Sequence, residues 1–176
     1  MRRPIDAARL EEFLRALGKE SRSDVRIYLT GGASAVLHGW RPSTIDVDLK
    51  IVPDSDALMR AIPRLKEELE VNVELAAPDD FIPEVPGWQS RSAFIRREGS
   101  ASFHHYDFYA QALAKIERGH GQDLRDAEEM VRRDLIQPSE LLRHFGEIES
   151  KLYRYPAVDP PSFRRRVEAF VGQTLV

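Results

Sequence analysis

Two aspartates stand two residues apart inside an apolar run, and this spacing constrains the fold more than any other feature of the sequence. Asp46 and Asp48 alternate with aliphatic residues at the start of the run IDVDLKIV. The period of two in a strand puts both carboxylates on one face. The other face, which we expect in the core, then carries Ile45, Val47, Leu49 and Ile51. Alternate α-carbons of a strand are about 6–7 Å apart, so the two carboxylates can share a hard divalent cation such as Mg²⁺.

Two consecutive glycines, Gly31 and Gly32, add the second constraint. The β-branched and aromatic residues at 25–30 predict a strand that stops at the glycines, and residues 33–38 predict a short helix that Gly39 ends. The turn therefore lies at a helix start, where unpaired N–H groups and the positive end of the helix dipole favour phosphate. Because glycine has no Cβ, a phosphate can approach the backbone closely, and the Ser34 hydroxyl can donate a further hydrogen bond.

The order of strand, glycine pair, short helix and acidic strand resembles the signature of the DNA polymerase beta-type nucleotidyltransferase superfamily, with thirteen residues between Gly32 and Asp46. The resemblance covers roughly residues 24–126. Within it, the segment RPST at residues 41–44 is similar to the minimal bacterial branch that includes the AbiEii-type toxins. The same is true of Lys115 and the two acids that follow it, Asp123 and Asp126.

The resemblance implies a third carboxylate on a neighbouring strand. Residues 71–75 predict a strand whose Asn72 and Glu74 face outward and whose inward residues are Val71, Val73 and Leu75. Glu74 is therefore the first candidate. Asp107 is the alternative, although it directly precedes a predicted helix and suits the N-cap position there.

The reaction that the resemblance implies is nucleotidyl transfer, in which a hydroxyl attacks the α-phosphorus of a nucleoside triphosphate and pyrophosphate leaves. The implied cofactor is Mg²⁺ or Mn²⁺, in a two-metal site whose ligands would be Asp46, Asp48 and Glu74. Glu74 could also take the proton of the attacking hydroxyl. The base of the triphosphate (ATP being one choice) and the acceptor, whether RNA, protein or a small molecule, stay open.

Two basic residues are further candidates for binding the triphosphate. Arg41 lies in the loop before the acidic strand, where its guanidinium could hold a phosphate through two hydrogen bonds; the alternative is an ordinary exposed loop arginine. Lys115 lies on a predicted helix, and the resemblance implies that such a lysine reaches the triphosphate from the side opposite the glycine turn; the alternative is an exposed helix lysine. The resemblance also implies that Asp123 or Asp126 orients Lys115 or Arg118.

The resemblance and the order of the predicted elements together indicate the α/β (α+β) class, with a small mixed β-sheet core flanked by helices. Of the 176 residues, we expect 1–110 to form the nucleotidyltransferase core with an N-terminal helix. We expect 111–176 to form a C-terminal helical extension packed on that core. The pattern at 55–69 predicts a helix that Pro63 divides into two short ones, because proline has no N–H to donate.

Composition limits the possible function classes. A net charge of −3 argues against a dedicated nucleic-acid-binding protein, so RNA binding would need a local basic patch. The absence of cysteine excludes disulfides and thiolate metal sites. The polar N-terminal helix lacks the apolar stretch of a signal peptide, and no stretch is long enough to cross a membrane. We therefore expect a cytoplasmic protein with no membrane partner.

Two function classes follow. The first is an enzyme that moves a nucleoside monophosphate from a triphosphate to a hydroxyl acceptor, as the toxin or effector of a bacterial toxin–antitoxin or defence pair with a cognate antitoxin protein. The second is a catalytically inactive nucleotide-binding or partner-binding protein on the same fold. Three acids at matching places favour the enzyme, because a decayed site would be expected to lose one of them.

Overall fold

The computed structural model describes residues 2–175 and falls into two compact units. The first unit comprises residues 2–77 and 92–105, and the second comprises residues 78–91 and 106–175. The chain thus enters the second unit, returns to the first for one hairpin, and then completes the second. The domains expected at 1–110 and 111–176 stay a prediction.

The first unit alternates helices with the strands of a small sheet. Its elements are β1 (Ile5–Asp6), α1 (Ala7–Lys19), β2 (Val25–Thr30), α2 (Gly32–His38), β3 (Ser43–Thr44), β4 (Asp46–Val52), α3 (Asp56–Glu68), β5 (Asn72–Glu74), β6 (Phe94–Glu98) and β7 (Ala101–His105). The main sheet has the strand order β5-β4-β2-β7-β6, and β1 pairs with β3 in a separate two-stranded sheet. The expected class, a small mixed β-sheet flanked by helices, is confirmed.

Strand direction decides which ends of the strands meet. β2 pairs antiparallel with β4 and parallel with β7, while β4 pairs parallel with β5. Thr30 at the end of β2 is therefore opposite Asp48 near the start of β4, and Asp48 is in turn level with Glu74 of β5. The end of β2 and the acidic start of β4 thus lie at the same edge of the sheet.

Alternation along the strands gives the sheet one apolar face. Ile27 and Leu29 of β2 and Val47 and Leu49 of β4 have 0% exposure. They belong to one core with the buried stripe of α1, which consists of Leu10, Phe13, Leu14 and Leu17. Full burial of such a side chain contributes about 1.5–3 kcal/mol, and a slip of one residue would move the whole set to the other face, so the core fixes the register.

Two residues that were expected in the core lie outside it. Ile45 is 65% exposed and Leu75 is 50% exposed. Each lies one residue beyond its strand, since β4 begins at Asp46 and β5 ends at Glu74. The prediction was wrong at these two positions because the period of two orders side chains only where the backbone stays extended and paired.

The division of the helix at Pro63 was also predicted wrongly. α3 runs without a break from Asp56 to Glu68, and Pro63 lies on its exposed side. The proline removes one N–H donor, but the opposite side of the helix is anchored in the core by Leu58, Ala61, Ile62 and Leu65.

The second unit is helical. It contains a 3₁₀ turn (Pro78–Asp80), α4 (Trp88–Arg91), α5 (Phe108–Arg118), α6 (Gly121–Arg132), α7 (Pro138–Ile148), a second 3₁₀ segment (Glu149–Arg154) and α8 (Pro160–Thr174). Phe145 and Phe163 join α7 to α8 by an edge-to-face contact of 4.9 Å between ring centroids. A helix needs a long apolar stretch to cross a bilayer, and none of the helices within residues 2–175 has one.

Candidate active site

Asp46 and Asp48 lie on the sheet face opposite the apolar core. Both are partly buried, while Val47 between them is fully buried. On the neighbouring strand, parallel pairing puts Asn72 level with Asp46 and Glu74 level with Asp48. Side chains at paired positions point to the same face, so the three acids proposed from the sequence share one surface.

Asn72 has a role that the sequence did not reveal. Its Nδ2 amide donates a hydrogen bond to Oδ1 of Asp46. A carboxylate with one oxygen held in this way presents the other in a defined direction, which is how outer partners orient metal ligands. Asn72 is therefore a candidate for orienting Asp46.

Asp107, the alternative third acid, has a structural role in the second unit. It is 1% exposed and caps α5, since its side chain accepts a hydrogen bond of 3.2 Å from the backbone N–H of Tyr109. This confirms the predicted N-cap. Its two oxygens also accept bonds from Arg91 Nε at 3.1 Å and Arg91 Nη2 at 2.8 Å. Because these contacts use both oxygens of Asp107, Glu74 stays the proposed third acid.

The donor set suits a metal ion that is completed by substrate. Among residues 2–175, no three His, Cys, Asp or Glu side chains are grouped closely enough to hold a metal alone. Mg²⁺ at nucleotide sites is usually bound by one or two carboxylates, and waters and substrate phosphates fill the other positions. Asp46 and Asp48, partly buried on one face, fit that requirement.

The glycine turn lies directly beside the acidic pair. Gly31 follows β2 and precedes α2 with φ 61° and ψ −133°, a conformation that a residue with a Cβ adopts only under strain. A Cβ built on Gly31 would lie 3.1 Å from Oδ2 of Asp48. A ligand seated on the backbone of Gly31 would therefore also meet the Asp48 carboxylate.

Gly32 is needed for close packing. A Cβ at this position would lie 2.0 Å from Oγ1 and 2.7 Å from Cβ of Thr44 in β3. Thr44 is buried, and its hydroxyl donates a bond of 3.0 Å to the carbonyl of Asp46. The close approach of α2 to Thr44 thus ties the glycine turn to the start of β4.

We expect Gly32→Ala to lower the free energy of unfolding by about 1–3 kcal/mol, the usual cost of adding atoms to a packed interior. The midpoint of urea denaturation measures this change. Gly146→Ala is the matched control, because Gly146 is exposed in α7 and a Cβ there would meet no atom within 4 Å. Alanine at 146 should be neutral or stabilising, so equal midpoints for the two variants would contradict the packing role of Gly32.

Arg41 belongs to the same neighbourhood. Its Nη1 atom lies 3.4 Å from the position that a Cβ would take on Gly32, and the residue is partly buried. The guanidinium therefore extends from the loop back to the glycine turn. Of the two interpretations left open by the sequence, this favours a group beside the turn over an exposed loop arginine.

Ser34 does not lie where a direct phosphate ligand would need to be. It has 0% exposure, its Oγ donates to the carbonyl of Leu29 at 3.2 Å, and the same Oγ lies 3.0 Å from Nδ1 of His105. The expectation that Ser34 donates a hydrogen bond to phosphate was therefore wrong, because its hydroxyl is buried. Position 34 lies on the side of α2 that packs on the sheet, so the hydroxyl is turned into the interior of the unit.

His105 is a buried member of this neighbourhood that the sequence did not identify. Burial, with smaller contributions from nearby His38 and His104, lowers the pKa of His105 to about 3. The side chain is therefore neutral at physiological pH. Its contact with Ser34 joins residues 71 positions apart, and no local pattern in the sequence signals such a contact.

The protein should lose stability in acid through His105. Above the ordinary pKa of 6.5 the side chain is neutral in both the folded and the unfolded chain, so it has no effect. Between pH 6.5 and about 3 only the unfolded chain binds the proton, which lowers the free energy of unfolding by up to about 1.4 kcal/mol per pH unit. Urea midpoints across this range should fall less steeply for His105→Asn, which does not titrate. The same slope for both proteins would contradict a buried neutral His105.

Lys115 lies in the second unit, within a cluster of buried charges. Its Nζ is 2.9 Å from Oδ2 of Asp126 and 3.8 Å from Oδ1 of Asp123, and all three residues are buried. Arg118 Nε in turn donates to Oδ2 of Asp123 at 2.8 Å. The acids therefore hold both basic residues, as the resemblance implied. The reach of Lys115 to a triphosphate stays a prediction.

Comparison with protein-family models gave no match, and comparison with curated proteins gave none either. Among solved structures, the chain is similar to an antigenic nucleotidyltransferase-like protein from Paracoccidioides brasiliensis, at 16% identity and a TM-score of 0.51, with 95% of each chain covered. At this identity the similarity shows the fold alone. The chain thus has the fold of a nucleotidyltransferase-like protein.

Proposed function

We propose that this protein is a metal-dependent nucleotidyltransferase, which moves a nucleoside monophosphate from a nucleoside triphosphate to a hydroxyl acceptor. The observation that carries the proposal is the position of Asp48, whose Oδ2 lies 3.1 Å from where a Cβ of Gly31 would be. Two carboxylates on one face of β4 and a backbone turn without side chains are neighbours on one edge of the sheet. Nucleotidyl transfer requires that combination.

The glycine turn and Arg41 bind the triphosphate in this proposal. Without a Cβ, Gly31 lets phosphate oxygens approach the backbone N–H groups of the turn. Arg41, close to Gly32, can hold one phosphate through two parallel hydrogen bonds. Lys115 is included as a further phosphate ligand on the resemblance alone, and Ser34 is not a direct ligand.

Asp46 and Asp48 would hold Mg²⁺ or Mn²⁺, with Glu74 as the third ligand. When bound, the metal lowers the pKa of the attacking hydroxyl and offsets charge on the leaving phosphate. Asn72 keeps the Asp46 carboxylate oriented. Glu74 accepts the hydroxyl proton as the new bond from oxygen to the α-phosphorus forms. The bond between the α-phosphorus and the oxygen that bridges to the β-phosphate breaks, and pyrophosphate leaves with the electron pair of that bond.

Transfer of label tests the proposal. The protein is incubated with each of the four nucleoside triphosphates labelled at the α-phosphate, with Mg²⁺ or Mn²⁺, and with total RNA or a bacterial lysate. We expect label on an acceptor, and no label after chelation of the metal. The same triphosphates labelled at the γ-phosphate are the control, because nucleotidyl transfer releases that label in pyrophosphate. Label that arrives from the γ-position, or none from any triphosphate, would overturn the proposal.

One observation favours a second candidate function, nucleotide binding without transfer. Glu74 is exposed, and within residues 2–175 no three acids form a compact metal cluster. A nucleotide-binding protein that kept the glycine turn and lost catalysis would have such a site. Saturable binding of a triphosphate in calorimetry, with no label transferred from the α-phosphate, would favour this function over the enzyme.

We further propose that the protein acts in the cytoplasm as the toxin or effector of a bacterial toxin–antitoxin or defence pair, with a cognate antitoxin protein as its partner. This role rests on the resemblance of residues 41–44 and of Lys115 with its two acids to the AbiEii-type branch. Induced expression in a bacterial host should arrest growth, and Asp48→Asn at the same expression level should not. Normal growth with the unaltered protein would contradict the toxin role.

A further inference from the structure

A polar contact lies buried between α2 and the sheet, directly behind the glycine turn. Ser34 of α2 and His105 of β7 meet there, with 3.0 Å between Oγ and Nδ1. Exposure is 0% for Ser34 and 7% for His105. A second residue of α2 contacts the same imidazole, since the ring centroids of His38 and His105 are 4.5 Å apart. Ser34 and His38 are four residues apart, so both belong to the side of α2 that packs on the sheet.

We propose that His105 is a positioning residue, which acts through Ser34 to hold the Gly31–Gly32 turn in the form that receives the triphosphate. The inference rests on the proposed function. Within the transfer reaction it gives roles to two buried polar residues, Ser34 and His105.

The hydrogen atoms of the contact can be assigned from its geometry. A hydroxyl has one proton, and the Ser34 hydroxyl donates it to the carbonyl oxygen of Leu29 at 3.2 Å. The remaining bond must then run from Nδ1–H of His105 to Oγ of Ser34. Burial supports this arrangement, because it lowers the pKa of His105 far enough to keep the ring neutral. A neutral ring with the proton on Nδ1 is the form that can donate to Ser34.

His105 lies next to both ends of the glycine turn. On the strand side, β2 and β7 pair in parallel and place Leu29 level with His105, two residues before Gly31. On the helix side, the imidazole donates to Ser34, three residues after Gly31. The Ser34 hydroxyl closes the loop by its bond to Leu29. The helix side of the turn is therefore hydrogen-bonded through Ser34 both to His105 of β7 and to the carbonyl of Leu29 in β2, and these bonds fix the orientation of the turn.

An apolar side chain at position 105 would bury a similar area without fixing the orientation of the glycine turn. Dispersion contacts are not directional, whereas a hydrogen bond constrains the angle between donor and acceptor. A phosphate-binding turn gains from such constraint, because pre-organised backbone donors need no reordering when the ligand binds. The consequence is a measurable difference between side chains that keep the donor of His105 and those that lose it.

Asparagine and glutamine separate these two cases at position 105. The side-chain amide of asparagine can occupy the place of Nδ1, while that of glutamine extends to the place of Nε2, so His105→Asn keeps the donor and His105→Gln loses it. Both substitutions introduce a neutral amide, which makes them a matched pair. Ser34→Ala removes the other partner and tests the same bond from α2.

The experiment measures the dissociation constant of a non-hydrolysable triphosphate with Mg²⁺, together with amide hydrogen exchange at residues 32–35. We expect about tenfold weaker binding and faster exchange for His105→Gln and Ser34→Ala, with His105→Asn close to the unaltered protein. The double variant Ser34→Ala/His105→Gln should be no worse than Ser34→Ala alone, because both substitutions remove the bond between the two side chains and only Ser34→Ala also removes the bond to Leu29. Thermal unfolding of every variant shows whether a loss of binding comes from a loss of folding.

The results distinguish failure of this inference from failure of the proposed function. If the unaltered protein binds no triphosphate, the proposed function fails and the positioning role fails with it. If the unaltered protein binds but His105→Gln matches His105→Asn in both affinity and exchange, only the positioning role is overturned. Additive losses in the double variant would likewise show that Ser34 and His105 act separately, and would overturn it.

Discussion

Asp48→Asn should reduce nucleotide transfer by about three orders of magnitude or more. Metal-mediated charge stabilisation supplies several kcal/mol to such a transition state, and each 1.4 kcal/mol corresponds to about a tenfold change in rate. Asparagine keeps the shape of the side chain but removes the charge that holds the cation. Asp46→Asn should have a similar effect, since an amide oxygen at position 46 could still accept the bond from Asn72 and only the charge would be lost.

Initial rates of label transfer from the α-phosphate measure this effect. Asp56→Asn is the matched control, because it replaces aspartate by asparagine at an exposed position in α3 of the first unit. It should retain full activity. Glu74→Gln tests the third acid, and loss of a general base should reduce the rate by about 10²- to 10⁴-fold. Activity of Asp48→Asn above a tenth of the unaltered rate would contradict the assignment of Asp48.

Stability should move in the opposite direction from activity in these variants. Asp46 and Asp48 face the same side of β4, where two like charges repel each other. Removing one charge relieves that repulsion, so the melting temperature of either variant should equal or exceed that of the unaltered protein. A clear fall in melting temperature together with lost activity would assign the loss to unfolding.

Local patterns predicted the strands and the acidic face, and they failed where a strand stops. Inside β4 the alternation of Asp46, Val47 and Asp48 was sufficient, because each side chain follows from its own backbone. At the ends, Ile45 and Leu75 continue the alternation in sequence but lie beyond the paired segments. Pairing depends on the neighbouring strand, which a local window does not contain.

The same distinction separates the site residues that could be predicted from those that could not. Asp107 as a helix cap was predictable, because the bond to Tyr109 spans two residues. Ser34 was assigned correctly to a helix beside the turn but wrongly to phosphate, because the partner that turns it inward, His105, is 71 residues away. Asn72 was missed for the same reason, since it orients a carboxylate 26 residues away on another strand.

Breaking the ion pair of Lys115 should strongly destabilise the second unit. Lys115→Met leaves the carboxylate of Asp126, which has 0% exposure, without its cation partner. Removing one partner of a buried pair typically costs about 3–5 kcal/mol, because the remaining charge stays buried without compensation. Urea midpoints and melting temperature measure the loss. Arg132→Met is the matched control on α6, because the side chain of Arg132 is 72% exposed and its pair with Glu129 should contribute little.

The double variant Lys115→Met/Asp126→Leu separates a structural role of this lysine from a role in binding. Replacing both charges by apolar side chains of similar size should restore most of the stability, since a buried ion pair often contributes no more than well-packed apolar residues. If Lys115 also reaches the triphosphate, as the resemblance implies, the restored protein should still bind triphosphate more weakly than the unaltered one. If stability and triphosphate affinity both return, Lys115 has only the structural role that its contacts with Asp126 and Asp123 show.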